Sequence, residues 1–221
     1  MELDLLQYDT EHVWHPYTRA IDPSIPYLVD KAIGCKIHLA DGRVLIDGMS
    51  SWWAVIHGYN RPELNEAIHD QLKEFAHVMF GGLTHRPAIK LAKALIELTP
   101  PNLEHVFFSD SGSVAIEVAI KMALQYQAAR GLKKRKKLLT IRGGYHGDTL
   151  GAMSVCDPET GMHSLFSNYL PDQIFVKKPE VAFDAEWDPN DMDEFAQTLE
   201  KHQYEVAAVI LEPVVQGAGG M

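Results

Sequence analysis

The sequence is poor in cysteine and in positive charge, and both shortages exclude classes of protein. Cys35 and Cys156 are far apart and belong to no Cys-x-x-Cys pair or Cys/His cluster, so neither a disulfide framework nor a metal site is predicted. The net charge of -10 disfavours nucleic acid and anionic membranes as partners, because both bind basic surfaces. A reducing, cytoplasmic location fits this composition.

Long apolar runs are also missing. Nowhere do about 18 apolar residues follow one another, as a membrane-spanning helix requires. The acidic N-terminus resembles neither a signal peptide nor a transit peptide. The chain is nevertheless 46% hydrophobic over 221 residues, which is enough for a sizeable core in one large domain or two small ones. We therefore expect a soluble, globular protein.

The most informative stretch runs from Val106 to Arg130. Val106–Phe108 predicts a short buried strand, and the Ala/Val/Ile-rich residues 114–125 predict a helix buried on most sides. Between them, Ser109 to Ser113 would present free backbone N–H groups and hydroxyls at the positive end of the helix dipole. Such a turn suits a phosphate, but Ser and Asp are equally favoured as simple helix N-caps. Both interpretations stay open on this stretch alone.

Hydrophobic periodicity predicts alternating helices and strands along most of the chain. Asp41-Gly42 is typical of a hairpin turn. The predicted strands are 36–39, 43–46, 138–141, 174–176 and 206–211, and the predicted helices are 62–75, 87–98 and 191–202. This alternation indicates an α/β fold with a mostly parallel sheet and helices on both faces, in which ligands gather at the carboxyl ends of the strands.

Three loops should therefore meet at one edge of the sheet, namely 109–113, 143–148 and 212–220. In the second loop Tyr145 lies among glycines that let the backbone approach a ligand, so its ring is a candidate to lie on a planar group. His146 is interpreted as a local hydrogen-bonding residue, because no Ser or Cys nucleophile is set beside it. The loop after Glu212 matches a dinucleotide fingerprint only weakly, since Pro213 and two valines separate the strand from its glycines.

Aromatic residues are concentrated near the N-terminus. Residues 11–27 combine them with three prolines, which predicts a segment that lies along a surface or reaches into a site. Trp52 and Trp53 are adjacent in a stretch without helical or strand periodicity. Such a pair more often packs in a core or an interface than lines a ligand site, although an indole face suits a flat or apolar substrate.

Several motifs together resemble the class III aminotransferases of the pyridoxal-phosphate fold type I group. They are Trp14-His15-Pro16-Tyr17, Asp47 to Trp53, His57 to Asn60, Met79 to Gly82, Asp110 to Ser113, Gly144 to Asp148 and Met153 to Pro158. The likeness runs along essentially the whole chain. It implies an aspartate aminotransferase-like fold, incomplete here, in which residues 1–60 belong to a small domain and substrate wall and residues 61–221 begin the large cofactor-binding domain.

The resemblance implies pyridoxal 5'-phosphate as the cofactor and assigns site residues. The cofactor-binding residues would be Ser111, Gly112, Ser113, Tyr145 and Glu212, with the phosphate at the helix N-terminus and the Tyr145 ring on the pyridine. The substrate-binding residues would be Tyr17, Trp52, Trp53 and Tyr145, whose rings accept both apolar and cationic groups.

Two of the motifs, Trp-His-Pro-Tyr and Ser-Ser-Trp-Trp, resemble the branch of the class that serves biotin synthesis. That branch implies ping-pong transamination from S-adenosylmethionine to 8-amino-7-oxononanoate, although some relatives use lysine as the donor. Ala218 stands where ornithine and 4-aminobutyrate members carry a glutamate, which disfavours an ordinary ω-amino-acid enzyme.

No lysine of this sequence matches the Schiff-base lysine of the class, so no catalytic residue is predicted within it. Lys90 and Lys121 fit surface positions of predicted helices. Class members continue for about as long again and are homodimers. We expect this chain to be a partial copy, inactive by itself, with bare strand edges and apolar helix faces. The alternatives are another class III ω-aminotransferase, a non-catalytic cofactor-binding module, and a nucleotide-dependent oxidoreductase resting only on Gly217 to Gly220.

Overall fold

The computed structural model describes residues 2–161, 164–182 and 184–219. Gly220, the end of the third predicted loop, lies outside them. The chain forms two compact units, residues 1–91 and 92–221. The boundary expected near residue 60 refers to the domains of the whole fold and stays a prediction. No helix in the described part of the chain combines the length and apolar content needed to cross a bilayer.

The first unit contains a three-stranded antiparallel sheet in the order β1-β2-β3. Helix α1 (Glu2–His12) precedes the strands β1 (Val29–Ile33), β2 (Lys36–Leu39) and β3 (Val44–Ile46). The predicted hairpin is confirmed, since Lys36 pairs with Ile46 across the turn at Asp41-Gly42. Strand β1 was not predicted, and it pairs with the other edge of β2. A single helical turn, α2 (Ser50–Trp53), follows the sheet.

Two amphipathic helices come next, and both were predicted to within one or two residues. Helix α3 (Pro62–Glu74) begins with a proline, whose missing N–H costs nothing in the first turn, and α4 (Arg86–Leu98) follows it. The apolar face of α3 is not covered in this chain, because Leu64, Ile68 and Leu72 are 51%, 60% and 55% exposed. The expected bare helix face is thus observed.

The second unit contains a parallel sheet in the order β5-β4-β6. Its elements are α5 (Gly112–Ala129), β4 (Lys137–Ile141), α6 (Leu150–Met153), β5 (Ile174–Val176), α7 (Asp193–Lys201) and β6 (Val206–Val209), with 3-10 turns at Ser164–Phe166 and Pro189–Met192. Strand β4 pairs in parallel with both neighbours, which confirms the predicted sheet type. Strand β6 ends two residues before the predicted limit.

The core of the second unit lies on β4. Leu139 forms a buried cluster with Val176 and Val206, and Phe195 and Leu199 of α7 pack against it. Leu138 and Thr140 point to the opposite face, since side chains alternate along a strand, and they are 2% and 0% exposed. Both faces of β4 are therefore covered, as expected for a central parallel strand.

Two expectations for the stretch 106–130 are wrong. Val106–Phe108 forms no strand with any described residue, because strand propensity is realised only where a neighbour completes the hydrogen-bonded ladder. Phe107 is accordingly 64% exposed. Helix α5 is confirmed, but it is not buried on most sides. Gln127 is its only buried residue, where the side-chain amide donates to the carbonyl of Ala207 at 2.8 Å.

Candidate cofactor and substrate sites

The three predicted loops meet in the second unit, at the carboxyl ends of β4 and β6 and the N-terminus of α5. The backbone N–H of Asp148 donates to Ser113 Oγ at 3.1 Å. The backbone N–H of Tyr145 donates to Glu212 Oε2 at 3.0 Å. These bonds join each loop to another, so the predicted convergence is confirmed for the described residues.

The N-terminus of α5 satisfies both interpretations that the sequence left open. Ser111 has extended backbone angles, and its hydroxyl accepts the N–H of Val114 at 3.2 Å, as an N-cap does. The backbone N–H groups of Gly112 and Ser113 have no acceptor among the described residues. Because α5 is 18 residues long, its dipole adds positive potential at these two groups. A helix cap and two free N–H donors therefore coexist, and binding of a phosphate there stays a prediction.

Gly147 lets the second loop pass close to this helix end. Its φ is +125°, and a Cβ at this position would lie 2.8 Å from Ser113 Cα, which is closer than real contacts allow. The Ser113 hydroxyl accepts from Asp148, so its own proton remains available to donate to an anion. The glycine is thus required by close packing as well as by its backbone angle.

Tyr145 and Glu212 are brought together by backbone contacts. The phenol of Tyr145 donates to Asp148 Oδ2 at 2.8 Å, and 37% of the residue is exposed. Both carboxylate oxygens of Glu212 accept backbone N–H groups, from Tyr145 and from Gly217 at 3.1 Å. Glu212 therefore ties the second loop to the third. Stacking by Tyr145 and cofactor binding by Glu212 stay predictions.

Asp157 anchors the start of the second loop, and its role was not predicted. This 5% exposed residue accepts backbone N–H groups from Gly143 at 2.6 Å and from Glu159 and Thr160, each at 2.8 Å. Burial alone would raise the pKa of the carboxyl group, but the N–H groups of Thr160, Gly143 and Glu159 outweigh it and lower the pKa to about 2. The sequence signal is an Asp followed by Pro158, which is typical of an Asx turn.

His146 is buried behind the same loop. Its backbone N–H donates to Cys156 Sγ at 3.1 Å, whereas the ring Nε2 is buried without a partner among the described residues. The predicted local hydrogen bonding is therefore made by the backbone and not by Nε2. Burial lowers the pKa of the imidazole, against the opposing charge of Glu212, so the ring is neutral at pH 7.

Three of the four predicted substrate residues form an exposed aromatic cluster in the first unit, whereas Tyr145 belongs to the second unit. The ring of Tyr17 meets that of Trp52 edge to face, with centroids 5.9 Å apart. Tyr17, Trp52 and Trp53 are 68%, 59% and 65% exposed. Core packing of the indole pair within this unit is thereby excluded. An exposed aromatic patch of this kind is typical of an interface or a ligand site.

The indole pair lies on an unusual backbone. Ser50, Ser51, Trp52 and Trp53 have φ values of 49°, 47°, 53° and 67°, so α2 is a left-handed turn. This conformation costs about 1–2 kcal/mol for each non-glycine residue and needs support from its surroundings. Asp47 supplies support, since its carboxylate accepts the N–H groups of Met49 at 3.0 Å and Ser51 at 2.8 Å. The sequence periodicity gave no sign of this turn.

Comparison with known proteins agrees with this geometry. The family described as aminotransferase class-III matches residues 17–221. An adenosylmethionine-8-amino-7-oxononanoate aminotransferase of Buchnera aphidicola subsp. Baizongia pistaciae is 52% identical over 221 residues, covering 100% of this chain and 51% of that protein. The protein of the same name from Corynebacterium glutamicum is 51% identical over 219 residues, covering 98% of this chain and 50% of that protein.

Solved structures show the same relationship. The adenosylmethionine-8-amino-7-oxononanoate aminotransferase of Methanocaldococcus jannaschii DSM 2661 has a TM-score of 0.90 and 36% identity, covering 100% of this chain and 49% of that one. A PLP-bound amine transaminase from an uncultivated Pseudomonas species has a TM-score of 0.77 and 32% identity, covering 95% of this chain and 49% of that one. This confirms the predicted PLP-dependent transaminase fold.

The chain spans about half the length of these relatives. The family match nevertheless covers nearly all of the chain, and the cofactor that the family implies is pyridoxal phosphate. The free N–H groups at the N-terminus of α5 and the exposed aromatic cluster are compatible with that cofactor. The chain belongs to the class III aminotransferases.

Proposed function

We propose that the whole protein transfers the amino group of S-adenosylmethionine to 8-amino-7-oxononanoate, with pyridoxal 5'-phosphate as cofactor, and yields 7,8-diaminononanoate for biotin synthesis. The observation that carries the proposal is the seat at the N-terminus of α5, where Gly112 and Ser113 present N–H groups without acceptors among the described residues. The names of relatives 52% and 51% identical to the chain support this choice of substrates. We also propose a cytoplasmic homodimer.

The residues present fit the phosphate of this cofactor. A phosphate dianion needs several donors, and the seat offers two backbone N–H groups, the proton of the Ser113 hydroxyl and the positive end of a long helix. Gly147 leaves the space beside Ser113 free of a side chain. The two backbone N–H donors are fixed in direction by the helix, and the Ser113 hydroxyl can rotate to add a third hydrogen bond.

The residues of this chain would position the reacting groups. When bound, pyridoxal phosphate supplies the electron sink that transamination needs. Gly112 and Ser113 fix the cofactor at its phosphate, and Glu212 holds the backbone from which the Tyr145 ring extends. Asp148 holds the phenol of Tyr145 and so limits rotation of that ring. The resemblance places the proton-transferring lysine of the class outside these 221 residues.

The aromatic cluster of the first unit would bind the substrates. Tyr17, Trp52 and Trp53 offer exposed ring faces that suit an adenine, a sulfonium cation and an aliphatic chain. The resemblance implies that, in the class members with a glutamate at this position, the glutamate pairs with an arginine that binds α-carboxylates. Ala218 provides no carboxylate for such a pair. This supports substrates other than ordinary ω-amino acids.

A half-reaction assay tests the proposal. The whole protein, loaded with pyridoxal phosphate, should change its absorbance spectrum with S-adenosylmethionine alone and return to the starting spectrum when 8-amino-7-oxononanoate is added. Mass spectrometry should detect 7,8-diaminononanoate. Reversible cofactor binding without any turnover would indicate a binding module instead. Faster turnover of 4-aminobutyrate or lysine than of S-adenosylmethionine would overturn the proposed donor.

A further inference from the structure

The left-handed turn that carries Trp52 and Trp53 is held by two residues, neither of which is among the predicted site residues. We propose that Asp47 and Tyr59 are positioning residues, which keep α2 left-handed and thereby set how the two indoles meet the substrate. The effect on substrate rests on the proposed function. The statement that Asp47 and Tyr59 keep α2 left-handed rests only on the geometry of the first unit.

The two side chains form a connected clamp, which we call the Asp47–Tyr59 clamp. Tyr59 O–H donates to Asp47 Oδ2 at 2.6 Å, and the same oxygen accepts the backbone N–H of Ser51 at 2.8 Å. The second oxygen of Asp47 accepts the N–H of Met49. The hydroxyls of Ser51 and Tyr59 also contact each other. The clamp therefore binds the turn at its entrance and within it.

The clamp is itself fixed to the sheet. Tyr59 and Gly34 exchange two backbone hydrogen bonds of 2.7 and 3.0 Å, and the N–H of Asp47 donates to the carbonyl of Cys35 at 2.9 Å. Gly34 and Cys35 form the turn between β1 and β2. Gly58, with φ of +86°, permits this approach, since a Cβ there would lie 3.0 Å from the carbonyl oxygen of Gly34. Both members of the clamp thus share one rigid support.

The turn would not keep its shape without such support. Four successive non-glycine residues with positive φ are strained, and strain of this kind persists only where surrounding contacts over-determine it. If the clamp is cut, the turn can relax to negative φ, and the indoles then point elsewhere. The clamp holds Met49 and Ser51, just before the two indoles in the chain, and so acts on the indoles through the backbone of the turn. Its loss should therefore weaken substrate binding more than the chemical step.

The test uses the whole protein with Tyr59→Phe, which removes one hydroxyl, and with Asp47→Asn. Tyr204→Phe is the matched control, since Tyr204 is 72% exposed and belongs to neither site. KM and kcat are measured for both substrates together with the cofactor absorbance spectrum. Iodide quenching of tryptophan fluorescence is measured in a background where Trp14, Trp187 and every tryptophan outside these 221 residues are replaced by Phe, so that only Trp52 and Trp53 report.

We expect Tyr59→Phe to raise both KM values about tenfold, as loss of a charge-assisted hydrogen bond does. The kcat and the cofactor spectrum should stay close to wild type, and iodide quenching should change. Asp47→Asn should have the same effects, and the double variant should be little worse than either single one. Tyr204→Phe should match wild type throughout.

Unchanged KM and unchanged quenching in Tyr59→Phe would overturn the inference. A lower kcat, higher KM values and weaker cofactor binding in the same variant would also overturn it, because that pattern indicates general damage to the fold. If wild-type protein converts neither substrate, the proposed function fails instead. The quenching comparison then still decides whether the clamp holds the indoles.

Discussion

Ser111 and Ser113 are two residues apart at the same helix end and have different tasks. The Ser111 hydroxyl caps the helix, whereas the Ser113 hydroxyl faces the second loop. We expect Ser111→Ala to lower the free energy of unfolding by about 1 kcal/mol, the usual value of a lost N-cap. The cofactor dissociation constant should change little, although the resemblance places Ser111 among the cofactor-binding residues, because the Ser111 hydroxyl already accepts the N–H of Val114. Denaturant unfolding and a cofactor titration of the same variant check both statements, and a large loss of cofactor affinity would contradict the division of tasks.

Asp157 should make stability depend on pH in the acid range. Its pKa is lowered from 3.8 to about 2 in the folded protein, so the unfolded chain binds the proton more readily. The resulting stabilisation, about 2 kcal/mol, is fully present above the unfolded pKa and is lost as pH falls through the folded pKa. Asp157→Asn should therefore be less stable than wild type at pH 7, and the difference should shrink between about pH 4 and pH 2.

Thermal unfolding of both proteins across this range measures the effect. Asp30→Asn, a change at an exposed position of β1, serves as the control and should show no such convergence. A gap between wild type and Asp157→Asn that stays constant from pH 7 to pH 2 would show that the carboxylate is not held by the backbone N–H groups of the loop.

The sequence pattern predicted a role for some of the residues discussed above and not for others. Gly112, Ser113 and Tyr145 were predicted because small residues, glycines and a helix start leave a visible pattern. The roles of Asp157 and Tyr59 were not predicted, since a single acid or phenol has no periodicity, and Pro158 after Asp157 indicates a turn but not its partners. Their importance depends on which backbone N–H groups and carboxylates folding places within about 3 Å of them.

At the scale of elements, Glu212 joins two loops through one carboxylate. We expect Glu212→Gln to leave one of the N–H groups of Tyr145 and Gly217 facing an amide NH2 instead of an oxygen. Both hydrogen bonds are exposed, so water partly replaces the lost acceptor and the cost is about 1 kcal/mol, which should still let both loops open more often. Hydrogen exchange of peptides covering 142–148 and 212–219 should become faster. Glu66→Gln, on the exposed side of α3, should leave these rates unchanged, and equal rates in both variants would refute the link.

Elements with local signals were predicted well. The hairpin at Asp41-Gly42, α3, α4, α5 and β4 follow from turn residues and from apolar spacing. The strand expected at Val106–Phe108 failed because a ladder needs a partner, and none lies among the described residues. The left-handed turn α2 was not predicted, for a different reason. Apolar spacing carries no information on the sign of φ.

At the scale of the whole molecule, the chain leaves much apolar surface uncovered. Ile68 and Leu72 of α3, Phe107 and Leu98 are each more than half exposed, far beyond isolated surface apolar residues. We expect the 221-residue chain, produced alone, to bind the dye ANS strongly and to self-associate in light scattering. It should also show no transamination. Turnover by this chain without further residues would contradict that expectation.

The seat for the cofactor phosphate at the N-terminus of α5 is the claim on which the whole account depends. Its most direct test compares the dissociation constants of pyridoxal phosphate and of pyridoxal, which lacks the phosphate, for the wild-type whole protein and for Ser113→Ala. We predict that the substitution raises the dissociation constant of pyridoxal phosphate about tenfold, as loss of a hydrogen bond to a charged group does. The dissociation constant of pyridoxal should stay unchanged. Equal weakening of both ligands, or of neither, would contradict the seat.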